Sequence, residues 1–293
     1  MLEKKSRLNR ITKIVTYILV LLIVLSILIP VVWVFIAAFK QKSEFYGSPW
    51  TLPKSMFIQN FIDAFQGAHM GEYFGNSIIV TVLALILNLI ITVPAAYVVS
   101  RYAFKGQKAL NTFYMAGLFI NVNYIVVPIF LMLVGADKLV MNMFPGGLFI
   151  NNLFVLALVY AATTIPFSVY LLSGYFKTIS TTYEEAGELD GATDFQIMTK
   201  IIIPIAKPAI MTVLLFNFLS YWNDYIISLT LIPGANRTLQ VGLLNLMTAQ
   251  KAAANYGRLY AGMVIVMVPA LILYGFIQKA MLEGMATGGS KEG

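Results

Sequence analysis

Apolar residues along the chain gather into six long stretches, at about Ile14–Phe39, Phe74–Ser100, Leu110–Val134, Leu153–Phe176, Ala209–Ile232 and Leu259–Ile277. A hydrocarbon core about 30 Å thick needs roughly 20 apolar residues per helix. The pattern therefore predicts six membrane-spanning helices. Five of them hold no formal charge, and the fifth in chain order holds Asp224. Polar segments separate them at 41–73, 135–152 (with "FPGGLF" at its centre), 177–208 and 233–258. The first stretch follows the basic run "EKKSRLNR". It outlasts the roughly 7–15 apolar residues of a signal-peptide core, which predicts an uncleaved anchor.

Basic residues orient the set. With the N-terminus inside, the inner pieces carry 13 of the 20 Lys and Arg residues and the outer pieces carry seven. Positive charge favours the cytoplasmic side, so both termini and segment 177–208 are expected there. Composition agrees with a membrane protein: 59% hydrophobic, 11% charged and a mean hydropathy of +0.80. Soluble domains carry about 25% charged residues. The net charge of +7 is better explained by anionic lipid and orientation than by nucleic acid. With no cysteine, disulfides, thiol nucleophiles and cysteine-ligated metals are excluded. One histidine, His69, excludes a paired-histidine zinc motif and reads as a surface residue. The C-terminal "EGMATGGSKEG" reads as a flexible tail.

One polar window stands out. Five of the 13 acidic residues, Glu184, Glu185, Glu188, Asp190 and Asp194, lie within 11 positions. "TYEE" at Thr182–Glu185 has capping-box spacing. Asp190–Gly191 reads as a helix stop and turn. "TDFQ" at Thr193–Gln196 repeats the box, and a second helix is expected to run to about Ile203, where Pro204 interrupts it. The first helix, about seven residues, is too short to be stable alone in water. Either it packs on its own bundle or it seats in a partner. The plainer reading of Glu184, Glu185, Glu188 and Asp194 is caps and solvated surface.

Polar groups also occur within the spans. Tyr221, Trp222, Asn223, Asp224 and Tyr225 mix aromatic faces with hydrogen-bonding groups, which suits a sugar in a wet path. They equally suit interfacial anchoring and an interhelical hydrogen bond from Asn223. Asn88, Asn121, Asn123, Tyr124 and Asn217 read first as interhelical hydrogen bonders and second as cavity lining. Pro94, Pro128, Pro166 and Pro269 predict bent helices.

The acidic window resembles the E-A-A-x3-G-x9-I-x-L-P signature of binding-protein-dependent ABC importer permeases. Glu185, Ala186 and Gly187 stand for E-A-A, Gly191 for the next Gly, Ile201 for the Ile and Ile203–Pro204 for L-P. Gly187 replaces the second Ala, Ile203 replaces Leu, and the usual Pro before the motif is missing from "TISTTYEEAG". Elsewhere "IPVVWVFIAAFK", "NFIDAF", "YFGNSIIVT", "RYAFKGQ", "PFSVYLLSGYFKTI", "KPAIMTVLLFNFLSYWNDY" and "GGSKEG" resemble the second-permease subunit of the carbohydrate-uptake (maltose/oligosaccharide) branch.

The resemblance implies an all-α membrane protein with six transmembrane helices and the type I ABC importer permease fold. Residues 1–13 would form a cytoplasmic N-terminus, 14–280 the permease domain and 281–293 a cytoplasmic tail. Segment 177–208 would be the coupling loop and 41–73 the extracytoplasmic segment. It implies that Glu184, Glu185, Ala186, Gly187, Asp190, Gly191, Ile201 and Pro204 couple to a cytoplasmic ATPase. Asn121, Asn123, Tyr124, Tyr221, Trp222, Asn223 and Asp224 are candidates for the substrate path. The implied partners are two ABC ATPase subunits, a second permease in a heterodimer, an extracytoplasmic solute-binding protein, membrane lipid and a sugar. ATP and Mg would be bound by the ATPase, because this chain has no Gly-Lys dipeptide and hence no P-loop. The alternative is an ion-coupled secondary transporter or channel subunit. Such carriers place several ionisable groups in the membrane, and these spans offer only Asp224. No catalytic constellation points to an enzyme.

Overall fold

The computed structural model describes residues 2–46, 50–253 and 255–289. Among these residues the regular structure is helical. In chain order, α1 is Leu2–Ala37, α2 Gln59–Ile62, α3 Met70–Arg101, α4 Gln107–Gly117, α5 Val122–Val140 and α6 Leu153–Phe176. Then follow α7 Thr182–Leu189, α8 Asp194–Ile197, α9 Ile203–Ile205, α10 Lys207–Asn223, α11 Ile226–Leu231, α12 Leu239–Ala253 and α13 Tyr256–Gly289. Helices dominate because lipid offers backbone groups no water, so each N–H and C=O must be satisfied within its own segment.

Among the described residues, five helices are long and apolar enough to cross a membrane, within 12–37, 70–101, 122–140, 153–176 and 256–278. A sixth crossing is formed if the bent pair Asp194–Ile205 and Lys207–Asn223 counts as one span. The fourth predicted span coincides with α6. The third is shifted: "LFIN" at 118–121 breaks the predicted Leu110–Val134 helix into α4 and α5, and the apolar crossing helix is α5, Val122–Val140. Hydropathy cannot register that break because most of its residues are apolar. The fifth is interrupted at Asp224, whose extended backbone (ψ 134°) separates α10 from α11. The predicted flexible tail is helical as far as Gly289, and residues 290–293 lie outside the described residues. Pro94, Pro128, Pro166 and Pro269 all lie inside continuous helices.

The chain forms two compact units, one comprising 1–70 with 243–267 and the other 71–242 with 268–293. In the first, Lys40 is fully buried. Its ammonium donates to Thr51 O at 2.8 Å and lies over the rings of Trp33 and Phe45 at 5.3 and 5.2 Å. Cation–π contact and a carbonyl make burial of this charge tolerable. Asn60 ties the same turn by donating to Ala38 O and Lys40 O. Glu44 closes the following loop by accepting the Lys54 and Gln41 N–H groups, both at 2.8 Å. Those two N–H groups hold its carboxyl below the usual glutamate range.

In the second unit the spans are pinned by a polar network inside the apolar core. Asn217 of α10 donates to Asn88 Oδ1 of α3 (3.0 Å) and to Ser168 Oγ of α6 (2.9 Å). Asn88 in turn donates to Thr164 Oγ1 and Ala161 O. Both asparagines are buried, so the interhelical role read for them is the observed one. Asp137 of α5 accepts N–H bonds from Leu148, Phe149 and Ile150 at 2.6–3.0 Å. It thereby folds the "FPGGLF" loop back onto its helix, a tie that the sequence did not reveal.

Candidate functional site

Two polar interruptions flank α10, and between them they hold most of the candidate residues. The first is the elbow after α6. Its opening differs from the predicted capping box. Thr181 is the cap residue, in helical conformation, and makes no side-chain cap. Ser180 Oγ instead takes the Thr182 N–H at 3.3 Å. Helix α7 then ends as expected. Gly191 adopts φ 76°, and the Ala192 and Gly191 N–H groups return to Gly187 O and Glu188 O. That is the paired bond pattern of a Schellman ending. The second capping box does form: Thr193 N–H reaches Gln196 Oε1 at 2.9 Å, and Gln196 N–H reaches Thr193 Oγ1 at 3.4 Å.

Beyond α8 the backbone widens into a π turn at Met198–Ile202. Pro204 has no N–H to give and its ring crowds the preceding turn, and the widened turn leads into it. The chain does not break at Pro204, as predicted, but at Ala206, where the two limbs bend by 76°. Ile197, Met198, Ile202 and Ala206 are buried in one cluster with Val93, Tyr97, Leu172, Phe176 and Val213. The second limb of the elbow is therefore part of the bundle core.

Helix α7 has two distinct faces. On the inner face Gly187 is buried. A Cβ there would stand 3.0 Å from Ile197 Cγ1 and Ile201 Cδ1, so the glycine permits close packing of α7 on the second limb. Three residues away on the same face, Glu184 Oε1 approaches Arg101 Nε at 2.9 Å, with both side chains about nine-tenths buried. Neither atom makes a directed hydrogen bond among the described residues, so the contact is ionic. On the outer face Glu185, Ala186, Glu188 and Asp190 are exposed, and Leu189 is 90% exposed. Tyr183 and Phe195 are also open. Of the eight predicted coupling residues, Glu185, Ala186, Asp190, Gly191 and Pro204 are thus exposed, while Glu184, Gly187 and Ile201 face the chain itself. Tyr102 sits beside Asp194 at the rim. Burial, with the nearby carboxylate, pushes its phenol above the usual tyrosine value.

The second interruption is at Asp224. Its carboxylate accepts the Tyr160 hydroxyl at 2.7 Å and the Ser228 N–H at 3.1 Å, and so caps α11. Tyr221 stacks on Tyr160, rings 5.3 Å apart, and is hydrogen-bonded to Thr164. Trp222 is buried against Phe218 and Phe74. Asn223 is exposed, donates to Leu219 O and accepts from Gln240. Asn121, Asn123 and Tyr124 lie at the start of α5, exposed, with Asn121 capping that helix. The predicted path residues therefore do not form one cluster. A cleft of about 260 Å³ opens instead beside α6 and α10, lined by Thr163, Thr164, Phe167, Phe216, Asn217 and Ser220 among others. The sequence reading missed Thr163, Phe167, Phe216 and Ser220. Their alternation of hydroxyl and ring one helical turn apart was the available signal.

Interrupted spans with polar groups at the breaks recur in membrane transport proteins. Residues 89–286 match the family model described as "binding-protein-dependent transport system inner membrane component", and the chain belongs to that family. It is 30% identical over 275 residues to the diacetylchitobiose uptake system permease protein NgcG of Streptomyces coelicolor, covering 94% of this chain and 87% of that one. It is 31% identical over 205 residues to the galactooligosaccharides transport system permease protein GanQ of Bacillus subtilis, covering 70% and 68%. Among solved structures it resembles a bacterial ABC transporter involved in import of the acidic polysaccharide alginate. That match has a TM-score of 0.75 at 26% identity and covers 92% of this chain and 96% of the other. The protein is an ABC permease of the cytoplasmic membrane, a transport subunit and not an enzyme. Membership does not favour the ion-coupled alternative.

Proposed function

We propose that this chain is one permease subunit of an ATP-driven importer for a sugar or oligosaccharide, forming half of the translocation pathway. Its termini and elbow face the cytoplasm. Two ABC ATPase subunits bind ATP and Mg there, a second permease completes the pathway, and an external solute-binding protein delivers the sugar. Support for the substrate class comes from the uptake systems to which the relatives belong.

The observation that carries this reading is the two-faced α7. Its inner face is fastened to its own chain, and its outer face presents Leu189 among Glu185, Glu188 and Asp190. A bare leucine ringed by acids suits a cleft with an apolar floor and basic rim in the ATPase. The sugar's path runs past the cleft at Thr163, Phe167, Phe216 and Ser220, where rings and hydroxyls offer stacking and hydrogen bonds. Asp224 holds the fold of the interruption beside it.

The test is purification of the complex in nanodiscs with its partner ATPase and second permease. The wild type is expected to retain the ATPase. Leu189→Arg combined with Asp190→Arg is expected to release it while the chain still inserts. In proteoliposomes, uptake of the solute held by the partner solute-binding protein should require ATP and survive collapse of ion gradients. Retention of the ATPase by the double variant would remove the docking assignment. Uptake without any ATPase would remove the importer reading.

A further inference from the structure

The end of α3 meets the elbow through apolar packing of Val93 and Tyr97 on its second limb, through Tyr97 beside Glu184, and through one arginine. Arg101, in the last turn of α3, donates through Nη2 to Ile179 O, 78 positions away, at 2.9 Å. Through Nε the same guanidinium meets Glu184 on the inner face of α7 at 2.9 Å. Exposure of the two side chains is only 9% and 12%, so water screens the pair little. Around it Tyr97 packs edge-on against Tyr102 and Phe176, at 5.9 and 6.3 Å. The rigid planar fork of arginine suits a group that must hold two partners in fixed directions.

We propose that Arg101 is a positioning residue for energy coupling: it locks α7 to α3, so that a pull on α7 moves α3 together with the span that leads into the elbow. The proposal rests on the reading of α7 as the ATPase-docking helix. Without the lock, α7 stays continuous with α6 through 177–181 and packed, through Gly187 and the second limb, against Val93 and Tyr97 of α3, but it loses the charged tie that fixes its angle to α3.

The chain has no cysteine, which permits spin labels at two introduced sites, Val98→Cys on α3 and Thr182→Cys in the exposed first turn of α7, about two turns from Leu189. Distances are read by pulsed electron resonance on the whole complex in nanodiscs, nucleotide-free and after trapping with ATP and vanadate. In the otherwise native complex the distance stays the same in both states, because the two helices move as one. In Arg101→Gln and in Glu184→Gln it shifts or broadens on trapping, and the double variant behaves like either single one, as expected for a pair that acts as a unit. ATPase retention is unchanged throughout, and ATP-driven uptake per ATP hydrolysed falls at least about fivefold, the lower end of typical site-to-site coupling. Several results overturn the proposal: native labels that separate on trapping, Gln variants that track the native distance, or Gln variants that shed the ATPase, since the pair would then only shape the docking surface. Loss of the ATPase from the native complex would overturn the docking reading and this proposal together. A native complex that keeps the ATPase while its labels separate overturns this proposal alone.

Discussion

The two ends of α10 use similar polar chemistry to opposite ends. At its C-terminal end, Asp224 spends its carboxylate inside the chain, on the Tyr160 hydroxyl and the first turn of α11. At its N-terminal end, the elbow holds five acids and turns only Glu184 inward, while Glu185, Glu188, Asp190 and Asp194 remain exposed. An acid inside a span must find partners, because its desolvation is otherwise uncompensated. An exposed acid on a short helix needs none. Leu189 makes the contrast sharper: it is 90% exposed on a helix that is already anchored elsewhere. The interruption in the bundle is built to be self-sufficient, and the elbow is built with an unused face.

That contrast can be broken by experiment. The largest effect is expected at the elbow. Leu189→Arg with Asp190→Arg should weaken ATPase binding by about 100-fold, the scale of losing a central interface residue, with no change in the thermal stability of the permease. A matching loss of stability would show that the outer face is structural after all. Next, Asp224→Leu removes a cap and strands the Tyr160 hydroxyl, at an expected cost of about 2–4 kcal/mol. It should lower the unfolding midpoint in detergent while ATPase retention in folded protein is untouched. Gly187→Val comes third. Its branches would press on Ile197 and Ile201 and cost about 1–3 kcal/mol of local packing, seen as faster hydrogen exchange along α7. Gly187→Ala should be nearly neutral, because a helix-propensity gain of about 1 kcal/mol offsets the tighter contact. Smallest is Asn217→Leu, which removes the donor to Asn88 Oδ1 and Ser168 Oγ at about 0.6–1.7 kcal/mol, the range of interhelical hydrogen bonds in membranes. Thermal unfolding reads it, and the elbow should not respond.

Much of this was legible in the chain. The termini of α6, the glycine turn at Gly191 and the capping box at Thr193 follow from local rules, because each depends on residues within a few positions of one another. The capping box at Thr182 failed because Ser180 competes for the same N–H. The third span was misplaced because an apolar sequence can leave the helix without losing its apolarity, as residues 118–121 do. The helical extent of α13 was missed because small and glycine-rich sequence reads as coil when its helix is not seen to continue from a long apolar segment.

Periodicity and spacing by themselves determined that this chain crosses a membrane several times and carries one polar elbow with a recognisable signature. They report on neighbours along the chain. The tertiary structure decided which face of α7 is bare, that Arg101 holds Glu184, and that Asp224 belongs to Tyr160, 64 positions away. Those ties join groups remote in sequence. Only the packing of the spans brings them within hydrogen-bonding or ionic reach, because such contacts depend on distance in space and not on distance along the chain.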